Sequence, residues 1–157
     1  MKLFFWLALH RRLWTSERRK RHGLQNDDPC ALCDQAPEMG NHLFLGCVFT
    51  KQVWLAFLRP LQLLPLMPSG DDDLGEWWLH QRRRVDQASR PLFDSLLLLV
   101  AWSVWKDRNC RVFGRPASSV HTVVQAAIVK EGEDWAMARF APLAALAQLW
   151  SQNSAAM

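Results

Sequence analysis

Three cysteines and a histidine carry the densest chemistry in the chain: Cys30, Cys33, His42 and Cys47, spaced C-x2-C-x8-H-x4-C. Two cysteines separated by two residues can turn both sulfurs toward one ion from a tight turn. A histidine and a further cysteine then complete a tetrahedron, the closed geometry of structural zinc. Pro29 precedes the first cysteine, and Gly40 and Asn41 permit a turn before His42. Asp27, Asp28, Asp34 and Glu38 make the neighbourhood acidic, whereas cysteines that only fill a core sit among large hydrophobes. The competing reading is a loop cysteine cluster in which His42 is an ordinary, partly buried side chain. Four ligands leave no open position, so one Zn2+ there supplies folding energy and does not activate water. Cys110 stands apart on an expected helix, as a small buried hydrophobe or an exposed thiol.

The second chemical feature is charge. Residues 1–25 hold seven Lys/Arg against one Glu, a net +6 inside a chain whose total is only +4. Residues 26–81 hold two basic against eight acidic side chains, and residues 82–157 ten against six. A concentrated positive field attracts polyanions by neutralising phosphates and releasing counterions. Arg11, Arg12, Arg18, Arg19, Lys20 and Arg21 are six of its seven members, with Trp14 placed among them to stack on an unpaired base. The plainer alternative is a solvated helix face.

These residues need helices to hold them. Leu3 to His10 reads as a short apolar helix, and Thr15 can cap a second one that ends near Gly23. Phe49, Val53, Trp54 and Phe57 recur at helical spacing until Pro60. Pro65, Pro68, Gly70 and Asp71 to Asp73 mark a loop, and Glu76 to Arg84 a short helix with Trp77 and Trp78. Ser89 caps a long helix that tolerates Pro91 in its first turn, is apolar nearly all round, and runs to about Phe113. Ser118 or Ser119 caps another, striped by Val120, Val123, Val124, Ala127, Ile128 and Trp135, and Pro142 to Trp150 forms a weak last helix. The expected fold is mainly α, a small zinc-stapled loop module followed by a helical bundle, with little or no β. The expected divisions are a zinc module at 1–59, a linker with a short helix at 60–88, a helical region at 89–150 and a flexible tail at 151–157.

Composition excludes several functions. At 157 residues the chain is about one domain long, far short of a complete polymerase. There is no Tyr, and Gly70 and Gly75 are followed by Glu76 and Trp77 where a phosphate loop needs Lys and Ser/Thr. The apolar run Leu3 to Leu9 meets His10, Arg11 and Arg12 with no cleavage site, and is too short to span a bilayer. Leu96 to Trp102 is flanked by Asp94 and Lys106, which suits a buried helix. The chain reads as soluble and intracellular, nuclear or cytoplasmic, with no membrane partner.

The run Phe4 to Thr15, then Arg21-His22-Gly23-Leu24, Cys30 to Cys33, His42-Leu43-Phe44-Leu45-Gly46-Cys47 and Val53-Trp54 resembles a known domain. It is similar to the zinc-binding domain that follows the polymerase domain in plant LINE-type (non-LTR) retrotransposon reverse transcriptases. Ala101-Trp102-Ser103-Val104-Trp105-Lys106-Asp107-Arg108-Asn109 and Val112-Phe113 resemble a downstream segment of the same polyproteins. In the variable step before His42, Glu38 is kept, whereas the family's Thr is replaced by Met39. The resemblance implies a detached C-terminal fragment of such a polyprotein, with the reverse transcriptase domain of the parent element as partner.

No catalytic centre is expected. Asp71 to Asp73 lie in a loop and Glu131, Glu133 and Asp134 on a helix, with no sheet to converge them on two metals. Two roles remain for the module: an accessory unit contacting RNA or DNA, or a structural piece docking on the missing polymerase through Trp6, Trp77 or Trp78. A non-functional element remnant is the further alternative. Core packing is the plain reading of each of those tryptophans.

Overall fold

The computed structural model describes residues 2–24, 29–70 and 72–127, with single positions at 148 and 152. Six α-helices form in this region: α1 (Lys2–Leu9), α2 (Ser16–Arg21), α3 (Val48–Leu58), α4 (Leu74–Arg84), α5 (Arg90–Val112) and α6 (Val120–Ala126). A π-helical turn (His42–Gly46) and a 3-10 turn (Leu64–Leu66) complete them. Among the described residues the only extended pairing is an isolated antiparallel bridge between Pro29 and Pro37, at the mouth of the cysteine turn. The fold is therefore a metal loop set on a helical bundle. Ile128, Glu131, Glu133, Asp134, Trp135, the helix expected at Pro142 to Trp150 and the 151–157 tail lie outside the described residues, positions 148 and 152 excepted.

Local signals explain the starts of α2, α4 and α6. Thr15 Oγ1 accepts from Arg18 N, Asp73 Oδ1 from Gly75 N and Glu76 N, and Ser119 Oγ from Thr122 N. Each satisfies backbone donors that a first helical turn leaves open. The start of α5 differs from expectation: the Ser89 side chain makes no cap bond there. Asp86 Oδ1 instead accepts from Ala88 N and Ser89 N and shapes the approach to Pro91.

The core runs without a break from α1 to α6. On α5, Phe93, Leu96, Leu97, Leu99, Val100, Ala101 and Val104 are buried, as the all-round apolar pattern requires of a central helix. Trp54 of α3 meets Trp77 of α4 edge-on at 5.2 Å, and Trp77 lies 6.1 Å from Phe93 of α5. Phe4 of α1 packs against Phe44 and Trp102, at 6.3 and 5.0 Å. Aromatic edge contacts of this kind add to the area they bury. Segment 60–88 shares in this core through Leu66, Leu74 and Trp77.

Candidate metal centre and the basic face

The first half of the centre is a turn. Cys33 N and Asp34 N both donate to Cys30 O, at 3.2 and 2.8 Å, and Cys30 N donates to Ala36 O at 2.8 Å. Asp34 closes the turn in the left-handed region at φ 55°, which Asp tolerates better than most residues. The second half comes from the π-helical turn. Five residues advance about 500° on an α-helix, leaving His42 and Cys47 about 140° apart. The wider π turn, closed by Cys47 N donating to His42 O at 2.6 Å, brings them to one side. Leu43, Phe44 and Leu45 between them are buried and anchor the turn in the core.

A π turn disturbs the ordinary carbonyl pairing, and α3 repairs it. Thr50 Oγ1 donates to Leu43 O at 2.7 Å and Trp54 Nε1 to Phe44 O at 2.9 Å. Both bonds are buried, where an unmet carbonyl is costly. Trp54 thus serves the site as well as the core.

The four ligand atoms all lie within 4.8 Å of one another. Cys30 Sγ and Cys47 Sγ are 3.9 Å apart, and Cys33 Sγ and His42 Nε2 are 3.4 Å apart. Ligand distances of about 2.3 Å to sulfur and about 2.0–2.1 Å to nitrogen give tetrahedral edges near 3.8 and 3.6 Å. The donor set fits one structural Zn2+. Cys30 and Cys47 are fully buried, while Cys33 and His42 are partly covered.

Cysteine binds metal as thiolate, and the site favours that form at Cys47. Its thiol is held down at about 3, first by the hydrogen bond from Cys30 and then by His42 and the backbone N–H groups of Thr50 and Phe49. Those N–H groups belong to the first turn of α3, of which Cys47 is the N-cap. Cys30 is pushed up by the same contact and by burial.

Two arginines of α5 hold the metal loop from behind. Arg108 grips the Glu38 carboxylate through Nε and Nη2, and Arg111 Nη1 donates to Leu32 O at 3.2 Å. Glu38 also accepts from Ser16 N at 2.9 Å and Ser16 Oγ at 3.3 Å, at the start of α2. Ala31 N, inside the cysteine turn, reaches its other oxygen at 3.4 Å. Sequence reading missed Glu38 and Arg108 as a site pair, although both stood within the quoted motifs. Asn41, beside ligand His42, bonds Asp73 Oδ2 through its amide nitrogen and Leu74 N through its oxygen.

The basic residues divide by environment. Arg11 donates to Asp73 Oδ2 at 2.9 Å, and Arg21 pairs with Glu17. Arg12 lies over the Trp6 ring at 5.3 Å and Arg18 over Trp14 at 5.0 Å. Arg19 is partly covered and its Nε has no hydrogen-bond partner, while Lys20 is exposed. Trp14 is 48% exposed, as is Trp6 at 44%, whereas Trp77 is buried and Trp78 donates to Asp94 Oδ1 at 2.8 Å. Cys110 is half-buried on α5 and takes no part in the centre. Among the described residues no helix is long and apolar enough to cross a membrane.

No curated protein and no solved structure matches the chain. Residues 1–54, which contain all four ligands and end at the tryptophan that supports the π turn, match the family described as zinc-binding in reverse transcriptase.

Proposed function

We propose that the chain is a non-catalytic accessory module of a reverse transcriptase, of the plant LINE type, in which the zinc loop fixes a basic helix against RNA or DNA. The module spans residues 1–59, followed by the 60–88 connection and the helical region from 89, and its protein partner is the polymerase domain of the parent element. One observation carries this reading: α2 is fastened to the metal loop and carries the basic run outward. Ser16 N and Oγ bond the Glu38 carboxylate, and Glu17 N donates to Glu38 O at 3.3 Å. Arg18, Arg19 and Lys20 follow on the next turn, beside the half-exposed Trp14. Cys30, Cys33, His42 and Cys47 hold the ion, which supplies folding energy and leaves the ligand side to Arg12, Trp14, Arg18, Arg19 and Lys20. Arg11 and Arg21 border this set, and each also bonds a carboxylate.

The test is the salt dependence of affinity for a labelled single strand, with and without zinc. Four phosphate contacts predict a slope of log affinity on log salt near −3, at about −0.7 each. Replacing Arg18, Arg19 and Lys20 by Gln flattens the slope and weakens all sequences alike, because phosphate contacts carry no base information. Arg59, Arg83 and Arg115 are exposed outside this face, and their joint replacement is the control. Equal losses in both triple variants would reduce the effect to general charge.

A further inference from the structure

The outer side of α1 is built like the Trp14 cluster. Phe4 and Ala8 face the core, while Leu3, Trp6 and His10 remain exposed on the opposite side. His10 stacks on Trp6 with ring centroids 4.4 Å apart and planes 29° from parallel. Its Nδ1 sits 2.8 Å from Trp6 O, which fixes the imidazole, and the Arg12 guanidinium lies 5.3 Å from the Trp6 ring centroid. Around Trp14 the same three residue types recur, with Arg18 at 5.0 Å and His22 at 5.3 Å. The two groups adjoin through the turn between α1 and α2, where Arg18 Nη1 donates to Arg11 O at 3.4 Å.

We propose that Trp6, with His10 and Arg12, is a second base-stacking platform, and that the ligand of this face is single-stranded nucleic acid lying across Trp6 and Trp14. The proposal rests on the nucleic-acid reading above and names the form of the ligand. Bases in a duplex are stacked on each other and offer no free face, whereas an unpaired base can stack on an aromatic ring. The surrounding residues 1–25 carry a net +6, complementary to a phosphate chain. His10 and Arg12 already order the ring in the free protein, so less side-chain freedom is lost when a base adds to the stack. An apolar protein groove is the poorer occupant, since it would bury Arg12 without a counter-charge.

The experiment measures anisotropy of labelled RNA and DNA strands of one sequence, and of the matching duplex, with zinc-loaded protein. Trp6→Leu keeps an apolar contact but removes the flat face. It should weaken single-strand binding about 5- to 150-fold, the range for loss of one stacked base, and leave duplex binding within about twofold. Trp6→Phe should restore most of the loss. A preference for RNA over DNA would assign the 2′-hydroxyl a role, and equal binding would exclude one; either leaves the stacking platform in place. If Trp6→Leu fails to fold, photo-crosslinking of a 5-bromouracil strand to the wild-type chain decides. A crosslink in the peptide containing Trp6 supports the platform, and one confined to the Trp14 peptide overturns it. Wild-type binding with a normal salt slope but no effect of Trp6→Leu overturns the platform alone. No wild-type binding to any strand overturns the nucleic-acid reading itself.

Discussion

Glu38 and Arg108, 70 positions apart, form a buried two-pronged ion pair that seats the metal loop on the central helix. Their side chains are 0% and 3% exposed, and Trp105 covers the guanidinium at 5.0 Å. The carboxylate gathers donors from α2, from the cysteine turn and from α5, so three segments share one buried acceptor. Removing one partner of such a pair leaves an unmet charge in the interior, at about 3–5 kcal/mol. Arg108→Met should therefore lower the urea-unfolding free energy of the zinc-loaded protein by that order. Glu38→Gln with Arg108→Met should recover part of the loss, because the amide oxygen still accepts from Ser16 N and no buried charge remains. A double variant as unstable as Arg108→Met alone would refute the ion-pair account.

Metal removal should act most strongly on the segment that the ion organises. Binding at a structural zinc site is worth about 10–16 kcal/mol at neutral pH, comparable to the stability of a whole domain. Cys33→Ser removes one ligand of four. Hydrogen exchange should then accelerate in residues 29–47, while the α4–α5 contact of Trp77 with Phe93 keeps its protection. Equal acceleration throughout the chain would show that the two regions unfold together.

The ligand spacing was legible because it is local: a cysteine turn and an H-x4-C step announce themselves within 18 residues. The helices were legible from apolar periodicity and from Thr15, Pro60 and Ser119. What holds the loop was not, because Glu38 and Arg108 meet only after α5 has folded back across it. Glu38 read as part of an acidic neighbourhood, and Arg108 as part of a motif without a physical role. Asp73 read as loop acidity, yet it caps α4 and binds Arg11 and Asn41. Sequence order likewise shows that Arg11 is charged but not that Asp73 comes near it. The π turn was hidden as well, since no propensity distinguishes it from an α turn.

Arg11 occupies a costly conformation. It closes α1 at φ 52°, with Arg12 N donating to Leu7 O at 2.7 Å and Arg11 N to Ala8 O at 3.1 Å. That pattern favours Gly, and a side chain there costs about 1–2 kcal/mol. The exposed Asp73 pair returns only about 0.2–1 kcal/mol. Arg11→Gly should therefore leave thermal stability unchanged or slightly raised. A fall of several degrees would mean that the ion pair outweighs the strain.

The same pair predicts a pH effect at Asp73. The Arg11 hydrogen bond, with those from Asn41 and the backbone of Glu76 and Gly75, holds the carboxyl below its ordinary value against the opposing effect of burial. A depressed carboxyl stabilises the fold above the unfolded value of about 3.9 and loses that contribution as pH falls through the folded value. Asp73→Asn keeps a capping oxygen but no charge. Its deficit in unfolding free energy should be constant from about pH 7 to 5 and close below about pH 4. A deficit that persists undiminished in acid would place the effect in the cap geometry and not in the charge.

Gly46 lies at a close backbone crossing beside the metal centre, and its replacement tests whether that crossing supports the ligands. A Cβ there would meet Gly70 O at 2.9 Å and His42 Nδ1 at 3.5 Å. The obstacle on one side is main chain, and Gly70 itself sits at φ 104° with its own Cβ position 2.7 Å from Lys51 Nζ. Lys51 Nζ also donates to Ser69 O at 3.3 Å, which holds the crossing segment in place. Neither partner can yield by a simple side-chain rotation. Gly46→Ala should therefore displace residues 69–70 or tilt the π turn, at about 1–3 kcal/mol, the usual cost of overpacking. Because His42 stands on that turn, zinc should also leave faster to a chelator. Gly40 provides the matched control: nothing lies within 4 Å of its Cβ position and its φ is unexceptional, so Gly40→Ala should be nearly neutral in both measurements. Zinc retention and melting temperature as in the wild type for Gly46→Ala would mean that the 69–70 crossing is free to move and does not brace the ion.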